Sequence, residues 1–236
     1  MKTLVINGTG SIGSAIVKEL KSSGCEVIFT SNHNETDKVS GCINWEYGGA
    51  QSVEDLFLLV KNDYDSIDSV VNCLGSIYLK PAHLTDEKDF DKTLDINLRS
   101  SFFILKESVS LMRKKGGNIL FFSSGAAQIG LVNHEAIAAA KSGLEGLVRS
   151  SAATYSKYGI RINALALGLV ESNLSSNIIS NPISLEMSKK MHGIGEIGTP
   201  EAVTKFALPL INDSSSWVTG SVINIDGGLS TTKIAS

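Results

Sequence analysis

The sequence predicts an α/β domain with a doubly wound parallel sheet of seven strands. Short apolar runs rich in β-branched residues alternate with longer segments that carry apolar residues at three- and four-residue spacing. Such strands and helices form βαβ units, whose right-handed crossovers place helices on both faces of the sheet. The chain has 236 residues, a length that suits one domain. We therefore expect a single domain over residues 1–236 with three α/β/α layers.

The same periodicity gives the expected bounds of each element. The predicted strands are residues 3–7, 26–30, 41–44, 69–72, 118–123, 161–166 and 221–225. The predicted helices are residues 12–23, 52–62, 89–115, 134–157 and 200–212. Residues 172–198 have an irregular pattern and are too long for a plain connection, which predicts a substrate-covering lid segment. Ligands of such a sheet bind at the carboxyl ends of its strands.

Composition narrows the class of ligand. The formal net charge is -3 with lysine and arginine scattered, which argues against nucleic acid or an anionic membrane surface as partner. The first strand begins at Thr3, leaving no room for a signal peptide, and no apolar run approaches the roughly 20 residues of a membrane span. Three cysteines in apolar surroundings have no metal-ligand spacing to the histidines. We expect a cytoplasmic protein with a small-molecule substrate and no metal.

A glycine-rich loop follows the first predicted strand and opens the first predicted helix. Its glycines permit a tight turn and a close backbone approach to a pyrophosphate, while the amino end of a helix favours negative charge. This predicts a Rossmann fold that binds a dinucleotide. The expected contacts of the cofactor in this loop are Gly8, Gly10, Ser11, Ile12 and Gly13.

The end of the second strand bears on the choice between NAD and NADP. An acidic residue there would bind the ribose hydroxyls of NAD, but the chain has Ser31 and Asn32 at this point. Both side chains can donate hydrogen bonds to a 2′-phosphate without repelling it. The sequence therefore favours NADP(H), with NAD(H) as the alternative.

Several further motifs resemble those of short-chain dehydrogenases/reductases, and the similarity runs from residue 1 to about residue 230. The resemblance implies NAD(P)(H)-dependent oxidoreductase activity on a small carbonyl or alcohol. The motifs are Val70-Val71-Asn72-Cys73-Leu74-Gly75, Asp95-Ile96-Asn97-Leu98, Ser123-Ser124, Gly198-Thr199-Pro200-Glu201, Val218-Thr219-Gly220 and Asp226-Gly227-Gly228.

The resemblance also implies roles for individual positions. Ser124 would contact the substrate oxygen, Lys141 would hold the nicotinamide ribose, and Asn97 would order water near that lysine. The cofactor contacts that it implies are Glu46 beside the adenine, Asn72 and Gly75 along the adenosine, and Val170 at the nicotinamide amide.

One departure from the family pattern bears on catalysis. Ile137 stands four residues before Lys141 and 13 residues after Ser124, where the family has the tyrosine that exchanges a proton with the substrate. Isoleucine has no proton to give. If the helix has begun by residue 134, His134 shares a face with Ile137 and Lys141. His134 is therefore the candidate donor, with Tyr78 or water as alternatives.

Three functions stay open at this point. The favoured one is a NADP-preferring oxidoreductase with a proton donor other than tyrosine. The second is a family member that binds the nucleotide without redox activity, as a sensor or an inactive subunit. The third is a dehydratase or isomerase on the same scaffold, with His134 or Glu135 handling protons. Segments 89–115 and 134–157 resemble the helices that pair in the family's dimers, so we expect a homodimer or homotetramer.

Overall fold

A parallel sheet lies between two helical layers in the computed structural model, which describes residues 1–32, 39–64 and 66–233. Within these residues the sheet has seven strands in the order β3-β2-β1-β4-β5-β6-β7. The predicted fold class is therefore confirmed. The strands are β1 Lys2–Ile6, β2 Glu26–Ser31, β3 Cys42–Asn44, β4 Ser69–Asn72, β5 Gly117–Ser124, β6 Ile160–Leu167 and β7 Val222–Ile225.

The helices follow the strands as crossover connections. They are α1 Ser11–Ser22, α2 Ala50–Asp63, α3 Glu87–Leu94, α4 Ser100–Met112, α5 Glu135–Tyr155, α6 Ser176–Ile179, α7 Pro182–Met191 and α8 Pro200–Ile211. A π-helical turn, Asp95–Arg99, joins α3 to α4. None of the helices in the described ranges is long and apolar enough to cross a membrane.

The strands position two cores because successive side chains point to opposite faces of a sheet. On β1, Leu4 and Ile6 pack with α2, α4 and α5, whereas Val5 packs with α1 and α8. All three side chains are fully buried. The sheet is thus covered on both faces, and its carboxyl edge is left for a ligand.

Several expected bounds differ from the structure, and three of the differences bear on the candidate site. β1 ends at Ile6 because Asn7 has a left-handed backbone, with φ of 58°, and turns the chain into the glycine loop. The predicted helix 89–115 is split into α3 and α4 by the π-helical turn that contains Asn97. α5 begins at Glu135, so His134 is its N-cap and not part of its first turn.

Residues 172–198, expected to be an irregular lid segment, contain the short helices α6 and α7. Val170 and Gly198 pair in a parallel bridge that joins the two ends of this segment. The Asn173 amide also donates to the Ser11 hydroxyl at 3.1 Å, which links the segment to the glycine loop. These contacts hold the segment beside the carboxyl edge of the sheet.

Candidate functional site

A cavity lies at the carboxyl ends of β1, β4, β5 and β6, between the first turn of α1 and the side of α5 that carries Ile137 and Lys141. Its lining combines apolar side chains with hydroxyl groups, one amide and one ammonium. The lining residues are Ile12, Cys73, Leu74, Gly75, Ser76, Ile77, Asn97, Phe122, Ser123, Ser124, Ile137, Lys141, Leu167, Gly168, Leu169, Val170, Ser172, Leu174 and Ser175.

The glycine loop has the geometry of an anion site. α1 begins at Ser11, its N-cap Gly10 provides no side-chain cap, and its first turn has no acidic residue. The first amide groups of a helix lack partners within the helix, so they are suited to bind a phosphate. The space is tight: a Cβ on Gly13 would lie 2.3 Å from the Asn7 carbonyl oxygen, and one on Gly8 would lie 2.6 Å from Cβ of Phe29.

A second cavity lies on the other side of the loop, between the ends of β2 and β3. It is lined by Asn7, Thr30, Asn32, Trp45, Glu46, Tyr47, Leu74 and Ile96. The Trp45 indole donates to the Ser52 carbonyl at 2.8 Å, and the Tyr47 hydroxyl donates to Asp95 at 3.1 Å. Burial and the Asp95 carboxylate raise the pKa of Tyr47 to about 12. Both aromatic side chains are thereby fixed as walls of the second cavity.

The structure separates the two residues expected to meet a 2′-phosphate. Asn32 is exposed and lines the second cavity. Ser31 is 1% exposed, and its hydroxyl accepts a hydrogen bond from Thr9 at 3.3 Å. The expectation for Ser31 therefore does not fit its burial, whereas Asn32 is open to a ligand.

The other expected cofactor residues are distributed over both cavities. Glu46 lines the second cavity, and Val170 and Gly75 line the first. Asn72 lines neither, because its side chain is buried, donating to Ser101 at 3.2 Å and accepting from the Leu74 amide at 3.1 Å. In this structure Asn72 supports the turn after β4, and a Cβ on Gly75 would lie 3.8 Å from Nζ of Lys141.

Asn97, Ser124 and Lys141 meet in the first cavity, as the sequence predicts. The Asn97 amide accepts from the Ser76 amide at 3.1 Å and donates to the Ser76 hydroxyl at 2.9 Å. A Cβ on Gly75 would lie 3.4 Å from Oδ1 of Asn97 and 3.8 Å from Nζ of Lys141, so both polar groups border one point. The π-helical turn brings Asn97 to this point, a recurrent use of such turns at functional sites.

Lys141 is a buried ammonium at the base of this cavity. It is 8% exposed, and Nζ donates to the Phe122 carbonyl at 2.8 Å. Burial lowers the pKa of Lys141 to about 8, because desolvation disfavours its charged form. Ile137, 5% exposed, lines the cavity one helical turn earlier. None of the described residues that line this cavity is a tyrosine, a histidine or a carboxylate.

His134 and Tyr78 do not join this group. His134 is the N-cap of α5, and its Nδ1 is 2.7 Å from the Val132 carbonyl oxygen. The Tyr78 hydroxyl donates to Asp89 at 3.0 Å. Neither residue lines the cavity, so the structure does not bring His134 or Tyr78 together with Ser124 and Lys141 there.

Comparison with protein families decides the class of this chain. Residues 7–230 match the family model described as enoyl-(acyl carrier protein) reductase, a span that contains both cavities and the strands β2 to β7. The chain belongs to the short-chain dehydrogenase/reductase family.

Individual relatives agree with this assignment. An uncharacterized oxidoreductase of Thermotoga maritima is 31% identical over 96% of each chain. The structure of a short-chain dehydrogenase/reductase from Serratia marcescens is 26% identical, with a TM-score of 0.89 over 98% of each chain. ElxO, solved with NADP bound, has the same fold, with 24% identity and a TM-score of 0.90 over 98% of this chain and 99% of its own.

Sequence reasoning missed several residues of this short-chain dehydrogenase/reductase site. Asn7 lines the second cavity, and its Nδ2 donates to the Cys73 carbonyl at 3.2 Å, joining the glycine loop to the turn after β4. Trp45 and Tyr47 form the aromatic wall beside Glu46. The sequence feature that could have identified Trp45 and Tyr47 is their place just after a short strand, at the carboxyl edge of the sheet where ligands bind.

Proposed function

We propose that this short-chain dehydrogenase/reductase binds NADP(H), with NAD(H) as the alternative, and interconverts a small carbonyl compound and its alcohol. The observation that supports this most strongly is the meeting of Ser124, Asn97 and Lys141 in a cavity that reaches Ile12 of the glycine loop. A hydroxyl donor and an ammonium can stabilise the negative charge that develops on a carbonyl oxygen during reduction. The proposed proton donor is a group other than tyrosine.

The residues present fit a dinucleotide. The uncapped first turn of α1 suits the pyrophosphate, and the cavity of Trp45 and Tyr47 suits the adenine. The exposed Asn32 suits a 2′-phosphate. ElxO, which has the same fold, was solved with NADP bound. A bound reduced nicotinamide would supply the hydride, while Lys141 and Val170 border the space for its ring and ribose.

We further propose that the chain forms one functional domain, with residues 172–198 covering the substrate, and that it assembles as a homodimer or homotetramer. Supporting the lid role, Leu174 and Ser175 of this segment line the first cavity. Supporting assembly, Phe102 on α4 is 51% exposed although it is a large apolar side chain. A single exposed aromatic is compatible with a surface that a second copy covers, and the resemblance of these helices to those of the family's dimers is the main support.

A second function is favoured by one observation, which is the hydrocarbon side chain of Ile137 where a proton donor is expected. A family member of this kind would bind the nucleotide and a carbonyl ligand without turnover, as a sensor or an inactive subunit. No residue of the first cavity, among those described, carries a carboxylate or imidazole for the proton shuttling of a dehydratase or isomerase. The redox and the binding functions are therefore the two that need to be separated.

The test is the oxidation of NADPH by the purified protein in the presence of a panel of aldehydes, ketones and enones. The loss of the absorbance of the reduced nicotinamide measures the rate. We expect turnover with a subset of the panel and a loss of about 10²-fold or more in Ser124→Ala, because a donor to the developing oxyanion is removed. Ser142→Ala is the matched control, because Ser142 is an exposed α5 serine whose hydroxyl donates to the Ala127 carbonyl. NADPH binding without turnover on any compound would favour the binding function.

A further inference from the structure

The first cavity contains few groups that can exchange a proton. Among its described lining residues, the side chains with an ionisable group are Lys141 and Cys73. Burial raises the pKa of the Cys73 thiol, which makes it a weaker acid than an ordinary cysteine. The serine hydroxyls are weaker acids still. Among the described side chains that line this cavity, the ammonium group of Lys141 is thus the strongest acid.

The surroundings of Lys141 leave it free to act on a ligand. Of its three N–H bonds, the Phe122 carbonyl takes one at 2.8 Å. Among the described residues no carboxylate forms an ion pair with it, and desolvation lowers its pKa to about 8, close to neutral pH. General acids are most effective when their pKa lies near the working pH. The ammonium combines a place in the cavity with suitable acidity.

We infer that Lys141 is itself the proton donor to the substrate oxygen, an inference that rests on the proposed reductase function. A bound reduced nicotinamide would supply hydride to the carbonyl carbon, and the π electron pair of the carbonyl would then move to its oxygen. This oxygen, held by the Ser124 hydroxyl, takes a proton from the Lys141 ammonium as the N–H bond breaks and the O–H bond forms. The carbonyl is reduced to an alcohol, the nicotinamide is oxidised, and the neutral amine regains a proton from solvent.

The decisive variant is Lys141→Arg, measured in a single turnover of NADPH with the best compound of the carbonyl panel. Arginine keeps the positive charge and hydrogen-bond donors for the ribose, but its guanidinium does not release a proton. We expect NADPH affinity to change by less than about fivefold and the hydride-transfer rate to fall by about 10² to 10⁴. Lys114→Arg, an exposed lysine beyond α4, is the matched control and should keep the full rate.

The pH profile distinguishes a proton donor from a structural lysine. Reduction by the unmodified protein should be constant below pH about 8 and fall tenfold per pH unit above it, because the ammonium is lost. In Lys141→Arg this alkaline limb should disappear together with the fast rate. In Lys141→Ala, added methylamine should restore part of the rate, with a dependence on the methylammonium fraction.

A second readout needs no turnover. In protein labelled with ¹³C at the lysine Cε, the signal that Lys141→Arg removes should titrate with a midpoint near 8, well below the ordinary lysine value. A midpoint at the ordinary value, or a rate in Lys141→Arg within a factor of three of the unmodified protein, would overturn the inference while the reductase function stands. Absence of turnover across the whole panel would instead remove the reductase function and the inference with it.

Discussion

Ile137 and Lys141 lie one helical turn apart on the same side of α5, and both line the cavity beside Ser124. A hydrocarbon side chain therefore borders the buried ammonium, at the position where the resemblance in sequence leads us to expect a phenol. The apolar neighbour adds no charge or hydrogen bond for Lys141, so burial dominates its acidity. The fold therefore supports the binding of a cofactor, whereas the proton transfer that completes a reduction needs a donor other than residue 137.

Replacing Ile137 by tyrosine should give this site a phenolic proton donor. We expect Ile137→Tyr to raise the rate of carbonyl reduction, by up to about 10²-fold, because a positioned acid contributes that order of rate enhancement. Single-turnover oxidation of NADPH measures the change. Ile137→Phe adds the ring without the hydroxyl and should give no gain. An equal effect of both substitutions would show that the hydroxyl plays no part.

His134→Ala should leave the turnover of the site unchanged, since the imidazole lies outside the cavity and its Nδ1 is bound to the Val132 carbonyl oxygen. The measurement is kcat/KM for the best carbonyl of the panel, compared with the unmodified protein. A loss of 10²-fold or more would mean that His134 reaches the substrate after all and that Lys141 is not the donor.

The buried ammonium should cost stability at neutral pH. The folded pKa of Lys141, about 8, is below the unfolded value, so the unfolded chain binds more protons between pH 8 and about 10.5. The contribution of Lys141 to the free energy of unfolding therefore rises with pH across this window. Lys141→Met should be more stable than the unmodified protein at pH 7, on the order of 2 kcal/mol, and should lose this part of the pH dependence. Urea unfolding of both proteins at several pH values tests both statements. A difference in the free energy of unfolding between the two proteins that is the same at pH 7 and at pH 10 would contradict them.

The glycine loop should not tolerate a side chain at its third glycine. A Cβ at residue 13 would lie 2.3 Å from the Asn7 carbonyl oxygen, so Gly13→Ala forces the loop and α1 apart. We expect a loss of about 1–3 kcal/mol in the free energy of unfolding and a weaker binding of NADPH. Gly146→Ala is the control, because a Cβ there meets nothing within 4 Å and alanine favours the α5 helix. Equal behaviour of the two variants would argue against the tight packing of the loop.

Asn32 should set part of the cofactor preference. Asn32→Asp would place a carboxylate where a 2′-phosphate is expected, so NADPH should bind about tenfold more weakly and NADH should gain relative to it. Asn32→Ala, which removes the amide without adding charge, should weaken NADPH by less. Dissociation constants for both nucleotides from nicotinamide fluorescence make the comparison. If Asn32→Asp leaves the preference for NADPH over NADH unchanged, the 2′-phosphate does not bind beside residue 32.

The hydrophobic periodicity was sufficient to predict the layers and the seven strands, because parallel strands and amphipathic helices have distinct repeats. Ser31 is buried because it is the last residue of a strand whose two faces are both covered, but that strand was predicted one residue too short. The left-handed Asn7 and the π-helical turn at Asn97 depend on single backbone angles and one extra residue in a turn, which periodicity does not detect. His134 was predicted as the first residue of α5 and is its N-cap, a difference of one residue that periodicity does not resolve.

The most direct test of the central claim, a dinucleotide held between the glycine loop and Lys141, is a thermal unfolding comparison with NAD, NADH, NADP and NADPH. A nucleotide that binds the folded chain alone stabilises it by about 2.7 kcal/mol at 100 times its dissociation constant. We predict the largest rise in Tm with NADPH or NADP, a smaller one with NADH or NAD, and a reduced rise in Gly13→Ala. No shift with any of the four nucleotides would contradict the account.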